Sequence, residues 1–221
     1  MIRVLLLNML IGMASTSLSL SQTVPQKTLS RWNHAQELLG KKYTSSVVRS
    51  GEQISDIDSL LFRWIQRALM NVRFSVEAIP EMTRQIGETI ILESEKYGFD
   101  PIFLIAVIQN ESSFNPTAVG KAGEIGLMQL KFVTAEWIAK KFDLFYDGPQ
   151  SLKDPTINIQ IGSAYLSYLR KEFAFKSHLY LEAYNKGSTY VRKALESDGI
   201  SRQYVSRVLS AYVNCYSKLL A

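Results

Sequence analysis

The sequence has one cysteine, Cys215, and two histidines, His34 and His178. A lone thiol excludes an internal disulfide framework and any zinc site built on cysteines. There is no His-Glu-x-x-His run and no glycine-rich phosphate loop. Those absences set aside metalloprotease, P-loop and dinucleotide-binding readings together. Twelve glycines and six prolines in 221 residues exclude collagen-like and proline-rich chains. No alternating apolar–polar run marks a convincing strand, so a sheet protein is also set aside.

What is present is ordinary for a globular protein: 47% hydrophobic and 20% charged residues. The length allows one good-sized domain, or one domain with an extension. The net charge is +5, and it is uneven. Residues 1–160 carry 16 basic and 16 acidic side chains, whereas residues 161–221 carry 9 and 4. A basic excess of this kind suits a solvated helical surface or attraction to an anionic polymer. No basic run with interleaved aromatics points to nucleic acid.

The first residues read as an address label. Met1-Ile2-Arg3 is a short positive region, Val4 to Met13 is apolar, and Ala14 to Ser21 is small and polar. This is the pattern of a secretory signal peptide, cleaved after Ser19 or Ser21, and it is too short for a comfortable membrane span. No cysteine follows to carry a lipid, and an uncleaved anchor is the alternative. The expected location is therefore the periplasm.

The remaining pattern is helical. A helix is expected around Leu29–Leu39, and Ser55 with Asp58 resembles a capping box. Ile57, Leu61, Trp64, Ile65 and Leu69 follow at helical spacing, with Pro80 ending or bending that element. Ile86, Ile90, Ile91 and Tyr97 mark another helix, which Gly98 can terminate. Asp100-Pro101 supplies an N-cap and a proline at the first helical position, and Asp154-Pro155 repeats the signal for a helix to about Phe173. Thr134 is expected to cap a short helix through Trp137. Two or three more helices should follow, the last over Gln203–Leu219. A hairpin within 117–130 is the one candidate for sheet. The expected fold is all-α, at most mainly helical α+β with that hairpin, and it carries an N-terminal helical extension. The expected division is a signal at 1–21, the extension at 22–82 and a main domain at 83–221.

Glu111 stands out. Leu104, Val107 and Ile108 precede it by seven, four and three positions and share its helix face. A carboxyl drawn toward the core is desolvated, which favours its neutral form and raises its pKa. A carboxyl held protonated near neutral pH is what a general acid requires; lysozyme is the standard worked case. A glutamate at a helix end can also simply turn outward. Asp100 is better used as a helix cap, and Glu124 lies in a turn-rich segment, so no second carboxylate has an equally clear setting.

The residues around Glu111 carry a resemblance. Glu111-Ser112-Ser113-Phe114-Asn115-Pro116, Gly126-Leu127-Met128-Gln129 and Ala183-Tyr184-Asn185-Lys186-Gly187 resemble the three signature blocks of the lytic transglycosylases. More narrowly, they resemble the soluble-type (SLT) catalytic domain with its goose-lysozyme-like fold. Asp154-Pro155 with Asn158-Ile159, Gly162, Tyr165 and Leu166 resembles the helix before the tyrosine block. The resemblance covers about Gln85 to Tyr212.

It implies cleavage of the β-1,4 bond between N-acetylmuramic acid and N-acetylglucosamine without water, leaving a 1,6-anhydro end. One glutamate, matched by Glu111, would serve first as acid and then as base. Gln129, Tyr184, Asn185, Ser113 and Met128 are the implied substrate-binding residues, although Met128 and Phe114 also suit core or groove wall. No metal or cofactor is implied. The implied partners are peptidoglycan glycan strands. The extension lies outside the resemblance; its aromatic and leucine stripe is expected to pack or, alternatively, to dock a cell-envelope protein, and the chain is expected to be a monomer. Three departures are visible, one being that Lys121 to Ile125 reads Lys-Ala-Gly-Glu-Ile, a variant of the commoner Gly-Ala-x. Gly120 stands where many relatives carry serine, a role that Ser113 or a backbone group could take over. Lys131-Phe132 replaces the usual Met-Pro. A lysozyme-type hydrolase on the same fold, or a non-catalytic wall-binding or assembly protein, are the competing expectations.

Overall fold

The computed structural model describes residues 26–40, 57–72, 74–197 and 199–220. The expected signal peptide and Ser55 lie outside them. Among the described residues there are nine α-helices. They are α1 (Gln26–Leu39), α2 (Ile57–Leu69), α3 (Ile79–Tyr97), α4 (Pro101–Ser112), α5 (Phe132–Phe142), α6 (Pro155–Glu172), α7 (Ser177–Lys186), α8 (Ser188–Glu196) and α9 (Gln203–Leu220). No strand occurs among these residues. The expected hairpin reduces to two isolated bridges, Val119 to Ile125 and Ile125 to Leu130.

The centre of the molecule is α4. Asp100 accepts from the Ile102 amide at 2.9 Å, Pro101 fills the first turn, and every side chain from Pro101 to Ile108 is buried. Burying each large aliphatic or aromatic side chain contributes about 1.5–3 kcal/mol, so this helix is a main source of stability. Helices α9 and α3 pack against it, α6 packs on α3, and α7 joins α6 to α9. The consequence for the site is mechanical: Glu111 sits on the last turn of the most deeply anchored helix.

Two helix boundaries differ from expectation. Pro80 does not end α2; it lies in the first turn of α3, where its missing N–H costs nothing. The expected domain boundary at residue 82 thus falls inside α3. Thr134 does not cap α5, which starts at Phe132 after Lys131 and runs to Phe142.

The N-terminal helices share the single core. Ala35 and Leu38 of α1 and Leu61, Ile65 and Leu69 of α2 are buried with the residues of α4 and α6. Polar contacts fix α1 further. Glu37 receives Arg170 of α6 through its Nε at 2.9 and 3.0 Å and its Nη2 at 2.5 Å. The same guanidinium donates to the carbonyls of Tyr97 and Gly98 at 3.2 and 3.1 Å. Nearby, the Asp100 amide donates to His34 Nδ1 at 3.0 Å, so burial and the Arg170 charge hold the His34 pKa well below its usual range. Breaking a buried ion pair leaves an uncompensated charge and costs about 3–5 kcal/mol. Arg170→Met is therefore expected to destabilise the chain by about 3 kcal/mol in urea melts, with Glu37→Gln in the same direction.

Candidate active site

Glu111 opens into a cavity of about 320 Å³. The cavity is lined by Glu111, Glu124, Gln129, Leu130, Lys131, Thr134, Tyr165, Tyr184, Asn185, Lys186 and Gly187. Four segments meet there: the end of α4, the 117–131 turns leading into α5, the face of α6 and the end of α7.

The Glu111 carboxyl is pushed up to about 7, chiefly by desolvation, with the Glu124 charge adding in the same direction. A hydrogen bond from the Tyr204 hydroxyl to Glu111 Oε1 and the positive charge of Arg207 oppose this rise. Tyr204 is buried in the first turn of α9, and the Arg207 guanidinium lies 5.7 Å from its ring centroid. Burial wins, and the result is a carboxyl near half-protonation at neutral pH, held by one fixed donor. Tyr204→Phe removes that donor. If Glu111 is a general acid, this should move the descending limb of a pH–rate profile upward and slow turnover about tenfold, because the carboxyl loses its orientation.

The 117–130 segment is held by side chains rather than by sheet pairing. Asn158, fully buried on α6, accepts from the Met128 amide at 2.7 Å and donates to the carbonyls of Ile125 and Leu152 at 2.9 and 2.8 Å. Gly126 lies beneath it at φ +84, and any β-carbon there would run into the Asn158 amide and the Leu152 carbonyl. Gln129 follows at φ +47, a strained value for a residue with a side chain. Its Nε2 donates to the carbonyls of Gly126 and Ala118 at 2.9 and 3.3 Å. The donor end of this amide is thus committed to the turn, leaving Oε1 as its group for a ligand.

Tyr184 donates to the Met128 carbonyl at 2.8 Å, and its ring lies 5.3 Å from that of Tyr165. Burial and the Glu111 carboxylate hold its phenol well above the usual range, so it remains a neutral donor. Asn185 lies at the end of α7, just before Gly187 turns the chain.

Of the six expected site residues, Glu111, Gln129, Tyr184 and Asn185 share the cavity. Two do not line it. The Met128 side chain is fully buried and packs against Gly162, so only its backbone serves the site. Ser113, at φ +51, ends α4 and faces a separate hollow with Asn71, Val72, Phe74 and Thr117. It cannot take over the place at Gly120. Three features around Glu111 were not expected. Glu124 enters from a segment read only as turns. Tyr204 had one sequence signal: with Val208, Tyr212 and Cys215 it forms an apolar stripe whose first member carries a hydroxyl. Lys131 and Lys186 bring positive charge to the rim.

Fold and site together define a helical domain that holds a half-buried carboxyl with a raised pKa at the wall of an open cleft rich in hydrogen-bonding groups. The transglycosylase SLT domain model matches residues 88–206, more than half of the sequence, and the chain belongs to that family. Membrane-bound lytic murein transglycosylase C of Pectobacterium atrosepticum is 35% identical over 114 residues, 48% of this chain and 32% of that relative. The protein of the same name from Photorhabdus laumondii is 36% identical over 114 residues, with the same coverage. The chain spans about a third of the length of these curated relatives. Among solved structures it is similar to an inactive mutant of lytic transglycosylase Slt from Pseudomonas aeruginosa. That likeness has a TM-score of 0.55 and 26% identity, covering 74% of this chain and 29% of that one. It is likewise similar to the 70 kDa soluble lytic transglycosylase of Escherichia coli, with a TM-score of 0.55 and 25% identity over 73% of this chain and 30% of that one.

Proposed function

We propose that this protein is a peptidoglycan lytic transglycosylase and that Glu111 is its acid and base. The observation that carries the reading is the Glu111 carboxyl, raised to about 7 by burial at the wall of an open cavity. In its neutral form Glu111 donates its proton to the oxygen of the β-1,4 bond as that oxygen leaves the muramoyl C1. The muramoyl C6 hydroxyl attacks the same carbon and passes its proton to the Glu111 carboxylate. One bond breaks and one forms, the glutamate regains its starting state, and no water enters. The substrate's own hydroxyl is already held at high effective concentration, so no group is needed to activate an external nucleophile. Gln129 Oε1 and Asn185 would bind acetamide and hydroxyl groups, and Tyr184 would brace the 126–129 turn.

The wider reading follows from this one. The chain would be exported by residues 1–21 to the periplasm, with glycan strands as its partner and no cofactor. It would act as a monomer, with an envelope protein docking on the segment 22–82. No helix among the described residues is long and apolar enough to cross a membrane.

One observation favours a second reading. Glu124 lines the same cavity as Glu111, and hydrolytic glycosidases use paired carboxyl groups, one of which can activate water. Product analysis separates the two. Purified sacculi are incubated with the full chain, and the released muropeptides are reduced with borohydride and weighed. Non-reducible anhydro ends are expected. Reducible muramic acid ends would establish the hydrolase, and no release from sacculi of several sources would leave a wall-binding role.

A further inference from the structure

The cavity holds two carboxylates, and the second is seated by the absence of a side chain. Residues 120–124 form a tight turn, in which the Gly120 amide donates to the Glu124 carbonyl at 2.8 Å and the Gly123 amide to the Gly120 carbonyl at 3.2 Å. The Glu124 side chain folds back over this turn. Its Oε2 accepts from the Ala122 amide at 3.1 Å, and its Oε1 lies 3.8 Å from Lys131 Nζ. A β-carbon at position 120 would collide with Glu124 Oε2 and would come within 2.8 Å of Gln129 Oε1. Gly120 does not have a positive φ, so its backbone does not demand glycine. What demands it is the space that the Glu124 carboxylate and the Gln129 amide occupy.

We propose that Glu124 is a positioning residue for the acid. It is a second carboxylate, stationed in the same cavity by the bare backbone of Gly120, that adds to burial in favouring the neutral form of Glu111. The proposal rests on the assignment of Glu111 as the acid. Its electrostatic sense is simple: a second negative charge facing a carboxyl favours that carboxyl's neutral form. The other groups around Glu111 either oppose it or are neutral. Tyr204 and Arg207 on α9 favour the ionised form, Tyr184 on α7 and Tyr165 on α6 are neutral phenols, and Lys131 and Lys186 add positive charge at the rim. Glu124 is the one carboxylate among these cavity groups that offsets the cations. Its pairing with Lys131 is long and its side chain is 25% exposed, so its effect is partial rather than complete.

The test is the pH dependence of kcat/KM on purified sacculi for the full chain and the variants E124Q, G120A and E111Q. Gln at 124 keeps the shape and can still accept from the Ala122 amide, so a matching thermal melt verifies the fold. The descending limb should move to lower pH in E124Q. Activity at pH 8 should fall about three- to tenfold, activity at pH 5 should stay within about twofold, and the anhydro products should be unchanged. G120A displaces the carboxylate without removing it and should shift the limb in the same direction. In the double variant the second change should add little. A limb that stays in place in both single variants would overturn the proposal and leave Glu124 as a cap of its turn. A loss equal at every pH would also overturn it, and would make Glu124 a catalytic base. E111Q separates the two levels. If it is inactive while E124Q is silent, only the role of Glu124 fails; if E111Q is active, the acid assignment itself fails.

Discussion

Glu111→Gln should lower turnover of purified sacculi by about a thousandfold or more, with little change in binding. A positioned acid or base contributes roughly 10²- to 10⁴-fold, and here one group is assigned both transfers. The amide has nearly the same shape and can still accept from Tyr204, so loss of activity would reflect loss of the proton and not collapse of the site. The wild-type profile follows from the same carboxyl. It must be protonated to act, so kcat/KM should be level below pH 7 and fall about tenfold per pH unit above it, with the midpoint near the raised value of about 7.

Stability should follow pH in the same sense as activity, but respond to the substitution in the opposite sense. Between the ordinary carboxyl pKa of 4.5 and about 7 the folded chain binds a proton that the unfolded chain has lost. The contribution of this group is therefore full below the unfolded value and disappears as pH rises through the folded one. Glu111→Gln removes that cost, and it should stabilise the protein by about 1–3 kcal/mol at pH 8 while leaving it unchanged at pH 4. A variant both inactive and more stable at alkaline pH is the signature of a carboxyl held in an unfavourable place for function. Equal stability of the two proteins at pH 8 would argue that Glu111 is not desolvated in solution.

The second large effect is expected at Asn158, which touches no part of the cavity. Its side chain satisfies one amide and two carbonyls, those of Met128, Ile125 and Leu152. An orphaned buried polar group costs about 1–3 kcal/mol, so Asn158→Ala should cost about 3–4 kcal/mol by urea denaturation. It should also cost activity, because the turn carrying Gln129 loses its anchor. Asn158→Asp is the sharper probe. It has the same size, yet it replaces two donors with a carboxylate that faces two carbonyl oxygens, so it should be at least as damaging as alanine. A near-neutral Asn158→Asp would show that packing alone, and not the hydrogen bonds, holds the turn.

Much of this molecule was legible in its sequence, for local reasons. Asp100-Pro101 and Asp154-Pro155 mark helix starts because capping and the proline ring act within a few residues. Gly98 marks the end of α3 at φ +65 because few other residues tolerate that conformation. Glu111 was legible because helical spacing places it on the face of Leu104, Val107 and Ile108, and that face is buried. Pro80 was misplaced because the same ring that breaks a helix also starts one, and only the neighbouring turn decides which.

The sequence by itself determined the helical class, the place of Glu111 on a core-facing side of its helix and the motif blocks that mark the family. The tertiary structure decided what surrounds Glu111. The Tyr204 hydroxyl reaches Glu111 across 93 positions of chain, and Asn158 reaches the Met128 amide across 30. Ser113 left the cavity because a left-handed backbone turned it away, while Glu124 entered because position 120 has no side chain to stop it. Spacing along a helix fixes which residues share a face. Which faces meet, and which charges then share a cavity, depends on packing among segments far apart in the chain.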